Sequence, residues 1–110
     1  MSENISIDYF SKLDIRIGTI VEVSDHTNAD KLYVLKIKFD SIPDRQIVAG
    51  IKNYYSKEEL IGKQISVIIN LEPAVLRGVE SQGMLLAAGD GKDVVLLSPE
   101  KSINNFAKVK

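Results

Sequence analysis

Apolar residues recur at every second position over several short stretches of this chain, the period of a strand with one covered face. Tyr33, Leu35, Ile37 and Phe39 share one parity, while Lys36 and Lys38 take the other. Upstream, Ile15, Ile17, Val21 and Val23 share a parity, and Gly18 on the opposite face predicts a bulge or sharp bend. Residues 46–49 predict a third, short strand. Ile65, Val67, Ile69 and Leu71 predict a fourth, residues 84–88 a fifth, and residues 94–97 a return strand after a turn at 89–92. Two short helices punctuate this series. Asp8 is placed to cap one that runs through Leu13. Ser56 and Glu59 have the spacing of a capping box, in which each side chain bonds the other residue's backbone N–H, and this predicts a helix between the third and fourth strands.

Three strands, a short helix and two more strands is the element order of an OB-fold barrel. The fold expected is therefore all-β: a five-stranded OB-fold barrel with a short helix between strands 3 and 4 and extra C-terminal strand material. With 110 residues and no linker or repeat, one domain over residues 1–110 is expected. The absence of cysteine removes disulfides, thiolate metal sites and a cysteine nucleophile. No apolar run approaches the roughly 20 residues of a membrane helix, and no basic-then-apolar leader opens the chain, so a cytoplasmic protein without membrane association is expected. A formal net charge of −1 argues against strong nonspecific nucleic-acid binding. The distribution modifies that picture. Between Asp30 and Arg77 stand eight basic and six acidic side chains, so the middle is mildly basic and the ends acidic.

Residues 70–84 carry the candidate chemistry. Asn70, Arg77, Ser81, Gln82 and Met84 lie between two apolar strands, with Pro73, Gly78 and Gly83 shaping the backbone. Polar side chains on a loop held by strands point to a binding surface. A second polar loop, 25–30, contains the chain's one histidine, His26, between Asp25 and Asp30. A lone histidine does not build a metal site, and a general base needs a partner and a pocket, so His26 is read as shaping its loop. Ser81 lacks a nearby base and the Gly-x-Ser-x-Gly context of a nucleophile. No catalytic residue, metal site or cofactor is expected.

The stretches Leu13-Asp14-Ile15-Arg16-Ile17-Gly18, His26-Thr27-Asn28-Ala29-Asp30-Lys31-Leu32-Tyr33, Asn70-Leu71-Glu72-Pro73 and Arg77-Gly78-Val79-Glu80-Ser81-Gln82-Gly83-Met84 resemble, in that order, the tRNA-binding domain family. The resemblance covers about residues 8–110. It is nearest to the carboxy-terminal domain, or separate beta subunit, of methionyl-tRNA synthetases. It implies a non-catalytic OB-fold module that grips the outer corner of tRNA by shape and assists a catalytic methionyl-tRNA synthetase chain. Position by position it places Asn28, Asp30 and Lys31 on the family's first loop motif and Asn70, Arg77, Ser81, Gln82 and Met84 on its second, and tRNA binding is expected of these, with Asp30 auxiliary. Apart from the resemblance, Lys36 and Lys38 on the outer face of the second strand, and Lys52, are expected as auxiliary basic residues that guide phosphate. It also implies a homodimer joined through the C-terminal strands and the N-terminal segment. The compact apolar run Val94-Val95-Leu96-Leu97 calls for a cover of its own, which a twofold partner supplies, so about residues 90–110, with Val94, Val95, Leu96, Leu97 and Phe106, are expected at the interface.

These residue types suit that task. Arg77 can pair with a phosphate bidentately, and Lys31 can act as a point charge. Asn70, Ser81 and Gln82 offer donors and acceptors to sugars, phosphates and base edges, or alternatively to nearby backbone. Met84 can pack on a base or within the core. Two other functions remain open at this level. One is a small dimeric chaperone-like module of the same fold that accepts peptide. The other is single-strand binding, which the scarcity of outward aromatics disfavours.

Overall fold

The computed structural model describes residues 2–110. A short helix, α1 (Ile7–Ser11), leads into three strands: β1 (Ile15–Asp25), β2 (Tyr33–Phe39) and β3 (Ile42–Ala49). Helix α2 (Lys57–Leu60) follows, then β4 (Gln64–Ile68), the short pair β5 (Ala74–Leu76) and β6 (Val79–Ser81), β7 (Met84–Leu85), β8 (Ala87–Gly89) and β9 (Val94–Leu96). Five strands curl into one antiparallel sheet with the order β3–β2–β1–β4–β7, and β5–β6 and β8–β9 form two separate hairpins. This is the OB-fold arrangement expected from the element order. Among the described residues, no helix is long and apolar enough to cross a membrane.

Side chains complete the barrel where the backbone ladder stops. The N–H of Gln82 donates to the carbonyl of Gln46 on β3 at 2.8 Å, and the N–H of Gln46 donates to Gln82 Oε1 at 2.9 Å. Two residues along, the N–H of Val48 donates to Ser81 Oγ at 3.0 Å. The otherwise open edge of β3 is thereby covered, which removes a site for unwanted strand pairing. Inside lie Ile20, Leu35, Ile37, Phe39, Ile47, Ile65 and Val67, and Leu60 of α2 is buried among the same cluster. The predicted capping box is present: Ser56 Oγ accepts from the N–H of Glu59, and Glu59 Oε1 accepts from the N–H of Ser56.

Several local expectations change. Strand β1 buries Ile15 and Ile17 and, on the opposite parity, Gly18 and Ile20; its bulge falls later, between Ile20 and Glu22 and not at Gly18, and Val21 and Val23 are only partly covered. Gly18 pairs regularly with Ile65. Its missing side chain matters for another reason: a Cβ there would lie 2.6 Å from Ile37 Cγ2 and 2.7 Å from Phe39 Cε1. Helix α1 begins at Ile7 after Ser6, and Asp8 sits in its first turn instead of capping it. Strand β3 starts at Ile42, earlier than expected, because the turn after β2 needs only Asp40 and Ser41. On β4, Ser66 is buried as well as Ile65 and Val67, since the N–H and Oγ of Ser66 both donate to the carbonyl of Leu97, which covers the second face. The expected fifth strand divides, because Leu86 leaves the sheet to bond Ser66 and Leu97 through its backbone.

The C-terminal segment returns along β1. The N–H of Ile17 donates to the carbonyl of Ala107, and the N–H of Val109 to that of Ile15. Phe106 adopts a φ of 78°, rare for a bulky residue. Its ring lies edge-on to Phe39, with centroids 6.4 Å apart, and under the Arg16 guanidinium, 4.2 Å from the ring centre.

Candidate nucleic-acid interface

Strand β1 delivers its last residue, Asp25, to the loop 26–32, and β2 leads away from it. Strands β5 and β6 deliver a second projection. Leu76 pairs with Val79, leaving Arg77 and Gly78 as a two-residue turn with φ values of 53° and 90°. Positive φ at both central positions defines a type I′ turn, whose preferred residues are Asn-Gly, Asp-Gly or Gly-Gly. An arginine at the first position runs against that preference, and local rules broken in this way concentrate at functional sites. The turn places Arg77 at the exposed tip of the hairpin.

His26 joins the two projections. It is only 5% exposed. Its Nδ1 accepts from the backbone N–H of Asn28 at 2.9 Å, and its Nε2 lies 2.9 Å from the carbonyl of Leu76. Both neighbours are backbone groups with fixed roles, so the ring is the neutral tautomer with its hydrogen on Nε2. Beside it, Arg77 Nη2 donates to the carbonyl of Asn28 at 3.2 Å. Arg77, Asn28 and, three residues on, exposed Lys31 therefore occupy one end of the molecule. The carbonyl of Lys31 accepts from the N–H of Lys52 at 3.4 Å, which brings the next segment to the same place. Lys52 and Lys57 both reach Asp25; Lys52 first, then Lys57, hold its carboxyl below the ordinary value through hydrogen bonds to the charged form.

The other residues singled out in the sequence are dispersed. Asn70 stands beside the start of β1, the opposite end from loop 26–32. Its Oδ1 accepts from the N–H of Asp14 and its Nδ2 donates to the carbonyl of Lys12. Ser81, 4% exposed, is committed inward: besides bonding Val48, it donates to the carbonyl of Gly83. Gln82 spends its oxygen on Gln46. Met84 is 49% exposed and lines an apolar groove of about 340 Å³ with Val48, Ile51, Leu76 and Val94. Lys36 and Lys38 project from β2 and make loose pairs with Glu22 and Asp40, each at 3.8 Å. Asp30 is exposed in loop 26–32. Of the expected interface residues, Leu96 is buried and Phe106 packs on Phe39, while Val94 is partly covered. The apolar surface of that stretch is left to Val95 and Leu97. Sequence reasoning passed over Arg45, whose guanidinium bonds the carbonyls of Ile69 and Gln82 and fixes both ends of the 70–82 segment. It also passed over Lys57, whose partner Asp25 lies 32 residues away and leaves no local signal.

Comparisons with known proteins bear on the family and the fold. A family model described as "Putative tRNA binding domain" matches residues 15–108. A methionine–tRNA ligase of Thermococcus kodakarensis is 55% identical over 109 residues, 98% of this chain and 14% of the ligase. One of Pyrococcus furiosus is 56% identical over 106 residues, 96% of this chain and again 14% of the ligase. The chain thus spans about one seventh of the length of these relatives. A MetRS-related protein from Pyrococcus horikoshii superposes with a TM-score of 0.91 at 32% identity, covering 99% of this chain and all of that one. The chaperone CsaA of Bacillus anthracis superposes with a TM-score of 0.91 at 31% identity, covering 98% of this chain and all of that one.

Proposed function

The chain belongs to the tRNA-binding domain family, and from that membership we propose that it docks folded tRNA through the surface shared by loop 26–31 and the Arg77 turn, without catalysing a reaction itself. The observation that carries this reading is the contact between the two projections: Arg77 bonds the carbonyl of Asn28, and His26 bonds Asn28 and Leu76. Arg77 keeps further guanidinium donors for phosphate, and Lys31 adds a compact charge beside it. Asn28 and Asp30 supply polar contacts around them. Lys36 and Lys38 add positive potential along the flank of the barrel. Such a surface meets a backbone and its curvature, not a base sequence.

The relatives carry a homologous segment inside methionine–tRNA ligases. On that basis the module serves as an additional tRNA attachment point for a catalytic methionyl-tRNA synthetase chain, raising the local concentration of its substrate. The exposed side chains of Val95 (56%) and Leu97 (45%), next to the open β8 strand, support a twofold partner on the C-terminal hairpin.

Arg77→Asn tests the docking surface. Asn-Gly is a favoured I′ turn, so the variant fits the hairpin while losing the guanidinium. Its thermal stability is expected to equal or exceed that of the parent, and its tRNA affinity to fall by about 1–3 kcal/mol. Undiminished binding in a fluorescence-anisotropy titration would remove Arg77 from the interface. The apolar groove at Met84 favours a second reading, a peptide-accepting module like the chaperone of the same fold. Saturable binding of a labelled unfolded polypeptide that unlabelled tRNA does not displace, with no retention of tRNA itself, would establish that reading in place of the first.

A further inference from the structure

Two lysines from separate segments converge on one carboxylate at the edge of the surface just described. Lys52 Nζ lies 3.2 Å from Asp25 Oδ1, and Lys57 Nζ lies 3.2 Å from Asp25 Oδ2. Asp25 precedes His26, the residue that joins loop 26–32 to the Arg77 hairpin. The backbone N–H of Lys52 is bonded to Lys31. The two ammonium groups are thus tied, through one residue each, to the elements that carry Lys31 and Arg77. Among the ion pairs of the described residues, this is the one in which a single carboxylate holds two cations.

Stability does not account for the arrangement. All three side chains are a third to a half exposed, and ion pairs at such exposure add little. The second lysine also brings a charge that the carboxylate has already balanced with the first, so the cluster keeps a net positive charge. Each ammonium has three N–H donors, and among the described residues Asp25 is the one side-chain acceptor either ammonium meets. Both side chains are partly exposed, which leaves donors open to a further acceptor. Asp25 meanwhile restricts two flexible side chains that would otherwise lose rotamer freedom when an anion arrives, which is preorganisation for anion binding. These are the properties of a phosphate-contacting pair.

We propose that Lys52 and Lys57, aligned by Asp25, contact tRNA backbone phosphates and extend the docking surface from the Arg77 turn, past His26, to the start of α2. The proposal rests on the tRNA-binding reading above. It is tested by measuring tRNA affinity from dilute to physiological salt for the unaltered protein, for Lys52→Gln/Lys57→Gln, and for a charge-matched control, Lys108→Gln/Lys110→Gln. Lys108 bridges to Arg16 at the other end of β1, and both control residues are exposed.

The Lys52/Lys57 variant is expected to bind about tenfold more weakly at low salt. The slope of log K against log salt should become shallower by about 0.7–0.9 for each phosphate that the variant no longer neutralises. The control should change the slope by much less. Equal effects from the two pairs would mean that only net charge matters, and would overturn the proposal. So would an unchanged slope in Lys52→Gln/Lys57→Gln while Arg77→Asn weakens binding. If the unaltered protein does not retain tRNA at any salt concentration, the parent reading itself fails, a result distinct from either of these.

Discussion

Removing the imidazole of His26 separates the contribution of the loop contact from that of its charges. In His26→Ala, the backbone N–H of Asn28 and the carbonyl of Leu76 are each deprived of a partner held at 2.9 Å. Each bond contributes about 0.5–1.5 kcal/mol net, and an abandoned buried group costs about 1–3 kcal/mol. Asn28 and Leu76 are themselves exposed enough for water to compensate in part, which favours the lower end. The expected loss is about 2–3 kcal/mol of folding stability. For a chain of this length that corresponds to a fall in Tm of about 8–12 °C. Urea denaturation followed by circular dichroism measures the loss directly, with an unchanged m-value showing that the unfolded state is not altered.

Two further substitutions divide the effect. An asparagine at 26 places an acceptor near the position of Nδ1 and can keep the bond from Asn28. A glutamine reaches the position of Nε2 and can keep the bond to Leu76. Each should recover about half of the loss, on the magnitudes for single hydrogen bonds. In tRNA titrations carried out well below the transition, His26→Ala should also bind more weakly, because the Arg77 turn is then held to loop 26–32 by the Arg77–Asn28 bond without the imidazole bridge. An alanine variant within about 0.5 kcal/mol of the parent, the range of a neutral surface change, would refute the account. So would asparagine and glutamine variants that both match alanine, since the two bonds could then not be separable contributions.

Ser81→Ala should act on folding rather than on tRNA contact: the buried N–H of Val48 is left without an acceptor, for a loss of about 1–3 kcal/mol, while the salt dependence of tRNA binding by the folded protein stays the same. A preserved stability with weakened binding would reverse that assignment. Gly18→Ala drives a methyl group into Ile37 and Phe39, both fully buried, and should destabilise by about 1–3 kcal/mol through overpacking; a chevron or equilibrium melt indistinguishable from the parent would show that β1 can yield there.

The fold was readable because its signals are local. The alternation of Tyr33, Leu35, Ile37 and Phe39, and the Ser56–Glu59 capping box, each operate within a few residues. What the pattern did not reveal depends on contacts across the chain. The bulge after Ile20 is a register matter between β1 and β2. The burial of Ser66 follows from Leu97. The division of residues 84–89 into two strands follows from backbone bonds of Leu86 to Ser66 and Leu97. The hairpin within 70–84 was hidden because its turn is built on Arg-Gly, not on the residues that usually announce a I′ turn.

The candidate site shows the same division for a different reason. A polar residue on a loop can serve the ligand or the loop, and sequence records only that it is polar. Asn70, Ser81 and the oxygen of Gln82 are spent on backbone groups of Lys12, Asp14, Gly83, Val48 and Gln46. The groups left for an RNA are mostly cationic: the remaining donors of Arg77, the ammonium of Lys31, and those of Lys52 and Lys57. The His26 imidazole joins the two projections and neutral side chains such as Ser81 and Gln82 anchor the hairpin to β3, while long basic side chains reach outward. A surface organised in this way has few directed acceptors and donors with which to read bases. Its discrimination must come from whether a ligand's phosphates fall where the scaffold has placed the charges, so a folded RNA of suitable curvature should outcompete an unstructured strand of equal length and charge.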